Sequence, residues 1–254
     1  MKLRFVEGKP ALLIKDTLVI ADLHIGIERE YAENGIKIPP LADVLLKEIK
    51  DLIKASHARS LILMGDIKHI VPGHSSYERK EVRKFLNAIN EIVNVGIIKG
   101  NHDSNIENYI PEGVRIFNAK GIILENDFYL FHGHTWPRTG FLKAKYCIMA
   151  HIHPQIEIVS RLGYNFIDDV WVVSEMKDSI LERYNGYENK SLPEVIIMPK
   201  FNKMAGGLVI NKETCLEKLD NKHSSPLLRN LDIMKSKIFT LSGLYLGRLS
   251  ELSH

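Results

Sequence analysis

Cysteine is nearly missing from this sequence. Cys147 and Cys215 are the only two in 254 residues, which excludes a disulfide framework and a thiolate zinc site and fits a reducing compartment. Long apolar runs are missing too. No stretch approaches the roughly 18 residues a membrane helix needs, and the opening MKLRFVEGKPALLIK is broken by charge too often for a secretory leader. A cytoplasmic location with no membrane partner is expected. Charge is also balanced: 34 Lys and Arg against 31 Asp and Glu leave +3. That excess is too small to mark a nucleic-acid binder, though it suits a phosphate-bearing substrate. Internal repeats and low-complexity tracts are absent, and 45% hydrophobic with 26% charged residues excludes disorder and collagen-like structure. What stands out is histidine, with 11.

Several short apolar runs end alike, in a polar residue able to bind a metal. Thr17 to Ala21 leads into Asp22-Leu23-His24, and Ser60 to Gly65 into Asp66. Val95 to Gly100 leads into Asn101-His102-Asp103, Phe128 to Phe131 into His132-Gly133-His134, and Tyr146 to Ala150 into His151-Ile152-His153. Runs this short, rich in Ile, Leu and Val and without alternation, read as strands buried on both faces. Between the first three lie helical patterns. Ala42 to Ala55 aligns Leu45, Ile49, Leu52 and Ile53; Tyr77 to Val93 aligns Val82, Phe85, Leu86, Ile89 and Val93. Alternating strands and helices imply a parallel sheet with right-handed crossovers, and ligands bind such sheets beyond the strands' carboxyl ends. All the polar residues above fall there.

After His153 the pattern changes. Strands are expected at Gln155 to Val159, Phe166 to Val173, Val195 to Met198 and Gly207 to Ile210, with a closing hairpin of Lys237 to Leu241 and Tyr245 to Leu249. Ser174 to Tyr187 is ambiguous, and Lys212 to Arg229 reads as surface loop. One domain over residues 1–254 is expected, with the metal ligands in 1–153 and second-sheet strands plus the hairpin in 154–254.

The donors taken together are Asp22, His24, Asp66, Asn101, His132, His151 and His153. Oxygen and imidazole without sulfur suit Mn²⁺, Fe²⁺ or Zn²⁺. So many groups exceed what one tetrahedral ion uses but suit two divalent ions sharing a carboxylate. Such a pair can hold a hydroxide between them and clamp a phosphoryl oxygen, the two-metal route to phosphate-ester hydrolysis. His102, beside Asn101, would then protonate the leaving alkoxide.

These blocks, DLH, GD, GNHD, HGH and AHIH in that order over residues 17–153, resemble the calcineurin-like metallophosphoesterases. The flanking text (ADLHIGIE, MGDIKH, FHGHTWP, AHIHPQ and GLYLGRL) looks closest to archaeal phosphoesterases related to the SbcD-type repair nucleases, and to phosphoesterases associated with bacterial DNA ligases. The resemblance implies a four-layer α/β/β/α sandwich. It implies one ion held by Asp22, His24 and His153, a second by Asn101, His132 and His151, and Asp66 bridging them. It further implies His102 as acid, Asp103 steadying it, and Mn²⁺ as the metal. Its implied substrate is a phosphodiester, single-stranded DNA or RNA ahead of small or cyclic nucleotides; a protein partner is not specified by the sequence.

Three points depart from the family pattern. Ala150 stands where the last block usually has glycine, tolerable only if its φ is negative. HGH leaves His132 or His134 as ligand, and His132 is preferred because it directly follows the strand. The SbcD-type nucleases also carry a DNA-capping domain and an ATPase-docking segment, for which the chain has little room; double-strand-break processing is not expected.

Blander roles compete for the remaining residues. His69 and His74, on the loop after Asp66, are more simply exposed polarity than substrate contacts, and His57, His223 and His254 read as surface. Asp103 can cap the following turn instead. Gly26 to Pro40 is either a substrate-shaping loop or a plain connection. Tyr31 and Trp136 could stack on a base but more simply pack, and Lys200, Lys203, Arg229, Lys235 and Lys237 form either a phosphate-facing patch or a solvated face. Against the enzyme stands a scaffold of the same fold that has lost catalysis. An intact ligand set speaks against that.

Overall fold

The computed structural model describes residues 3–71, 75–160, 162–184, 191–212 and 225–253. The expectations for His74, Cys215, His223 and His254, and parts of those for Ser174 to Tyr187 and Lys212 to Arg229, lie outside the described residues.

Two sheets face each other. The first runs in chain order through β1 (Leu3–Phe5), β2 (Leu12–Ile14), β3 (Thr17–Ile20), β4 (Ser60–Met64), β5 (Asn94–Ile98) and β6 (Arg115–Phe117). From β3 to β6 every pairing is parallel, whereas β1 and β2 add an antiparallel edge. After β3 come a short helix, α1 (Glu28–Glu33), and the crossover α2 (Leu41–Ser56); α3 (Ser76–Asn90) crosses from β4 to β5. Both expected helices are present to within a few residues. The Ser75 hydroxyl caps α3 by accepting from the Glu78 amide at 3.0 Å, and α2 stops where His57 turns left-handed at φ 54°.

Period-two alternation divides each parallel strand between two cores. Leu18, Ile20, Leu61, Leu63, Val95 and Ile97 pack beneath Leu45, Ile49, Val82, Phe85 and Ile89 of the helices. Val19, Ile62, Met64 and Ile98 point the other way, onto Phe128, Leu130, Ile148, Trp171 and Ile196 of the second sheet. Each such fully buried aliphatic side chain contributes about 1.5–3 kcal/mol.

The second sheet contains β7 (Ile122–Leu124), β8 (Phe128–Leu130), β9 (Tyr146–Met149), β10 (Pro154–Val159), β11 (Asn165–Ser174), β12 (Glu194–Ile197) and β13 (Leu208–Val209), in the order β13-β10-β11-β12-β9-β8-β7. The closing hairpin, β14 (Lys237–Thr240) with β15 (Tyr245–Arg248), attaches to β11. This sheet thus begins well before residue 154, because β7 to β9 belong to it. Strands β8, β9 and β12 run parallel. Their outer face is covered by short pieces: α4 (Ile180–Arg183), 3-10 turns at Thr139–Lys143 and Leu228–Asn230, and α5 (Leu249–Leu252). The result is the expected mixed α/β sandwich of two sheets with helices outside. Its fourth layer, among the described residues, is thinner than the first. Residues 225–229, expected as surface loop, instead bury Leu227 and Leu228 in that layer. No helix among the described residues is long and apolar enough to cross a membrane.

Candidate metal centre

Strands β3, β4 and β5 of one sheet and β8 and β9 of the other all end at the same edge of the sandwich. One or more of the anticipated donors follows each end, and the structure brings all of them together. Asp22, His24 and His153 place ligand atoms within 4.8 Å of one another, and so do Asp66, His132 and His151. Asn101 joins the second set, its Oδ1 lying 3.2 Å from His132 Nε2. Asp66 lies between the sets: its Oδ2 is 3.3 Å from His132 Nε2 and 3.8 Å from His24 Nε2.

The backbone that holds these groups is strained. Asp22, His24, Asp66, His151 and His153 have φ of 59°, 43°, 51°, 76° and 46°. For a residue with a Cβ such a conformation costs of order 1–3 kcal/mol and persists only where surrounding structure enforces it. Here the Asp22 amide donates to the Gly65 carbonyl at 3.1 Å and the His24 amide to the Asp66 carbonyl at 2.9 Å, locking one strand-end turn against the next. Two glycines allow the close approach. A Cβ on Gly65 would sit 2.2 Å from His132 Nδ1, and one on Gly100 would sit 2.1 Å from Asp66 Oδ1. Ala150 does not take a positive φ, and its buried methyl group packs in the intersheet core, so its departure from glycine is accommodated.

Proton positions follow from the neighbours. His132 Nδ1 lies 3.0 Å from the Met64 carbonyl, which only accepts, so that nitrogen carries the hydrogen. His132 Nε2 then turns a lone pair toward Asp66 Oδ2 and Asn101 Oδ1. His153 repeats the pattern: its Nδ1 donates to the Gly206 carbonyl at 2.7 Å, leaving Nε2 facing Asp22 Oδ1 at 3.3 Å and His24 Nε2 at 3.4 Å. Asp22 Oδ1 is buried and accepts no hydrogen bond. Such groups facing one another in a buried site need a proton or a metal ion between them, and with no metal bound the imidazoles of His132 and His153 take up that proton. The donor set therefore fits divalent metal ions, with second nitrogens anchored on backbone carbonyls as in other metal sites.

The ionisation of the site reflects the same crowding. Burial opposes a charge on His132, but Asp66 and Asp22 outweigh it and lift that imidazole to about 9. Burial likewise opposes a charge on His153, and Asp22 overrides it in the same direction. Burial and neighbouring imidazoles push His24 and His151 down to about 3, and His134 to about 4. Asp22 and Asp66 stay below the ordinary carboxylate range: their burial is overcome by His153 in one case and His132 in the other. Burial and the nearby charge of Asp66 raise Asp103 to about 6.

His102 comes to the centre with Nε2 3.9 Å from Asp66 Oδ2, while its Nδ1 donates to the His69 carbonyl. Asp103 does not steady the His102 ring as expected, because His69 already occupies that nitrogen. Its carboxylate accepts from the amides of Ile67 at 2.9 Å, Lys68 at 3.4 Å and Gly100 at 2.8 Å, tying the turn after β4 to the turn after β5. His134 lies outside both ligand sets, with its ring centroid 5.2 Å from that of His132.

His69, set aside in the sequence, is drawn in. Its Nδ1 lies 3.3 Å from His24 Nδ1 and its Nε2 2.6 Å from Glu30 Oε2 of α1. The only sequence signal for it was its position three residues after Asp66. Tyr31 and Trp136 are otherwise employed: Tyr31 donates to the Met204 carbonyl at 2.8 Å, and Trp136 lies under the Arg183 guanidinium at 4.0 Å. Lys200 takes no part in an exposed basic patch. Lys200 is 1% exposed and paired with Asp169, and Lys235 is paired with Asp232 at 2.6 Å.

Residues 16–184 match the model of the calcineurin-like phosphoesterase family. The chain belongs to that family, whose members hydrolyse phosphoric esters. Among solved structures, Pseudomonas putida nuclease MPE is similar in fold, with a TM-score of 0.57 at 18% identity over 96% of this chain and 100% of that one. Yfce, a phosphoesterase from E. coli, is matched over 55% of this chain and 71% of its own, at 19% identity and a TM-score of 0.37. No curated protein matches the sequence.

Proposed function

We propose that the protein is a two-metal phosphodiesterase acting on nucleic acid, with all of residues 1–254 forming one metallophosphoesterase domain. The observation that carries this reading is the place of Asp66: one carboxylate oxygen lies within 3.9 Å of His132, His24 and His102. In this reading Asp22, His24 and His153 hold one divalent ion, Asn101, His132 and His151 the other, and Asp66 both. Mn²⁺ suits these hard and borderline donors, ahead of Fe²⁺ or Zn²⁺. Bound there, the pair supplies Lewis acidity toward the phosphoryl oxygens and activates water for in-line attack.

The chain's own residues do the rest. The His69 carbonyl holds one hydrogen of His102 on Nδ1, so Nε2 is the nitrogen that faces the reaction; in the imidazolium form it carries the second proton, which it hands to the departing oxygen and so returns to neutral imidazole. Proton delivery matters most for a diester, whose alkoxide leaves poorly unprotonated. Asp103 fixes the loop carrying His102 by its bonds to three backbone amides. The nucleic-acid assignment is supported by the resemblance of the five blocks to the SbcD-related and ligase-associated phosphoesterases, and by a fold shared with a protein described as a nuclease.

The test is hydrolysis of bis-p-nitrophenyl phosphate and of a labelled single-stranded oligonucleotide, with Mn²⁺ and with chelator. Metal-dependent cleavage of both is expected. Cleavage of the small ester alone would move the substrate to small nucleotides. Silence on both with two metals bound would overturn the reading in favour of a scaffold.

A further inference from the structure

Asn202 is 2% exposed, makes its hydrogen bonds to backbone groups and none to a ligand side chain, and lies far from most of the ligands in sequence within MPKFNKMAG. Its hydrogen bonds nonetheless converge on the first ligand set. Its backbone amide donates to the Asp22 carbonyl at 3.3 Å, and its side-chain Nδ2 donates to the Leu23 carbonyl at 2.8 Å. Those carbonyls belong to the two peptide units joining Asp22, Leu23 and His24. Rotating the Leu23–His24 unit would release the left-handed φ of 43° at His24, and rotating the Asp22–Leu23 unit would change ψ at Asp22 and so the course of the turn between the two ligands. Asn202 Oδ1 accepts from the Met204 amide at 3.0 Å and its carbonyl from the Ala205 amide at 3.1 Å, folding the chain into a compact turn. That turn delivers the Gly206 carbonyl to His153 Nδ1 at 2.7 Å. Phe201 adds a bond from its amide to the Ala21 carbonyl at 2.9 Å, and Leu208 one from its amide to the His153 carbonyl at 3.0 Å. One residue thus pins both peptides of the Asp22–His24 turn and shapes the segment that orients the third ligand. The described residues 201–208 make no such bond to Asn101, His132 or His151.

We propose that Asn202 is a positioning residue for the first of the two ions alone: its amide group holds Asp22, His24 and His153 in register, and its loss weakens that ion without touching the second. This rests on the two-ion reading above.

The test uses the full chain stripped of metal, titrated calorimetrically with Mn²⁺. Asn202→Ala removes both side-chain bonds. Asn202→Asp keeps the volume and the bond from Met204 but places an acceptor against the Leu23 carbonyl. In both, one equivalent weakens by about 10–100-fold, the range for lost partners of metal ligands, and the other is unchanged. The Mn²⁺ concentration giving half-maximal hydrolysis rises by the same factor, and kcat at saturating Mn²⁺ is restored. A His24→Ala background identifies the equivalent: there, adding Asn202→Ala leaves the remaining ion's affinity unchanged. Two equivalents at wild-type affinity in both variants would overturn the proposal, and so would equal weakening of both. Should these variants fail to fold, Tyr31→Phe removes the outer tether on Met204, and the first equivalent is expected to weaken several-fold; no change would overturn the proposal equally. A wild-type chain that binds no Mn²⁺ would instead sink the two-ion reading itself.

Discussion

The two ligand sets offer the same chemistry but are held in different ways. His132 belongs to the scaffold: its side chain is fully buried, its Nδ1 is anchored on the last residue of β4, and its carbonyl accepts from Ala150 at 2.9 Å. His151, in the same set, has its amide 3.4 Å from Asp22 Oδ2. Everything in that set hangs on strand ends from the two sheets. The set of Asp22, His24 and His153 depends in addition on residues 201–206, a loop that arrives from beyond β12. Donors on strand ends are as rigid as the sheets, whereas a loop-held set is only as rigid as the loop's own anchors.

The largest effect should come from the residue common to both sets. Asp66→Asn removes the charge that both ions would share and is expected to lower activity by about a thousandfold or more, as several kcal/mol of transition-state stabilisation is lost. Calorimetry should show both Mn²⁺ equivalents weakened, and a weakening confined to one set would show that Asp66 does not bridge. Next comes His102→Ala, which removes none of the proposed ligands. Turnover of the labelled oligonucleotide, whose leaving group is an alkoxide, should fall by about a hundredfold or more with two equivalents still bound, as expected for loss of a general acid, while hydrolysis of bis-p-nitrophenyl phosphate, whose leaving group departs unprotonated, should fall much less.

Lys200→Met probes the loop-held set from its anchor. Lys200 is 1% exposed and starts the 201–206 segment from its pair with Asp169, which also accepts from Gln155 at 2.9 Å. Stripping one partner from a buried pair costs about 3 kcal/mol or more, seen as a lower melting temperature in chelator. The first Mn²⁺ equivalent should weaken more than the second, and equal weakening would erase the contrast between the sets. The smallest effect is expected from Ala150→Gly. With no positive φ to relieve, glycine there should destabilise by about 0.5–1 kcal/mol and leave both Mn²⁺ affinities unchanged.

Much of this was legible in the sequence because the strands announce themselves. Thr17 to Ile20, Ser60 to Met64 and Tyr146 to Met149 are apolar on both faces, and each is followed at once by its ligands. The three-residue strands β1, β2, β6 and β7 were not seen, since so few residues cannot display a period. Lys200 looked like surface charge because its partner across 31 residues, the half-buried Asp169, leaves no local trace. The resemblance implied Asp103 beside the His102 ring, but adjacent side chains in a turn point apart, and its carboxylate accepts from three amides instead.

The sequence by itself determined which candidate donors follow the strands, their order and the edge of the sheet where they meet, because a buried strand followed by a polar turn is a local pattern. Only the tertiary structure decided which nitrogen of each imidazole faces the centre, that His69 joins it, and that Asn202 braces half of it. Those outcomes depend on carbonyls and amides contributed by segments up to 179 residues apart. Backbone groups are chemically alike in every sequence, and folding alone brings a given carbonyl to a given side chain.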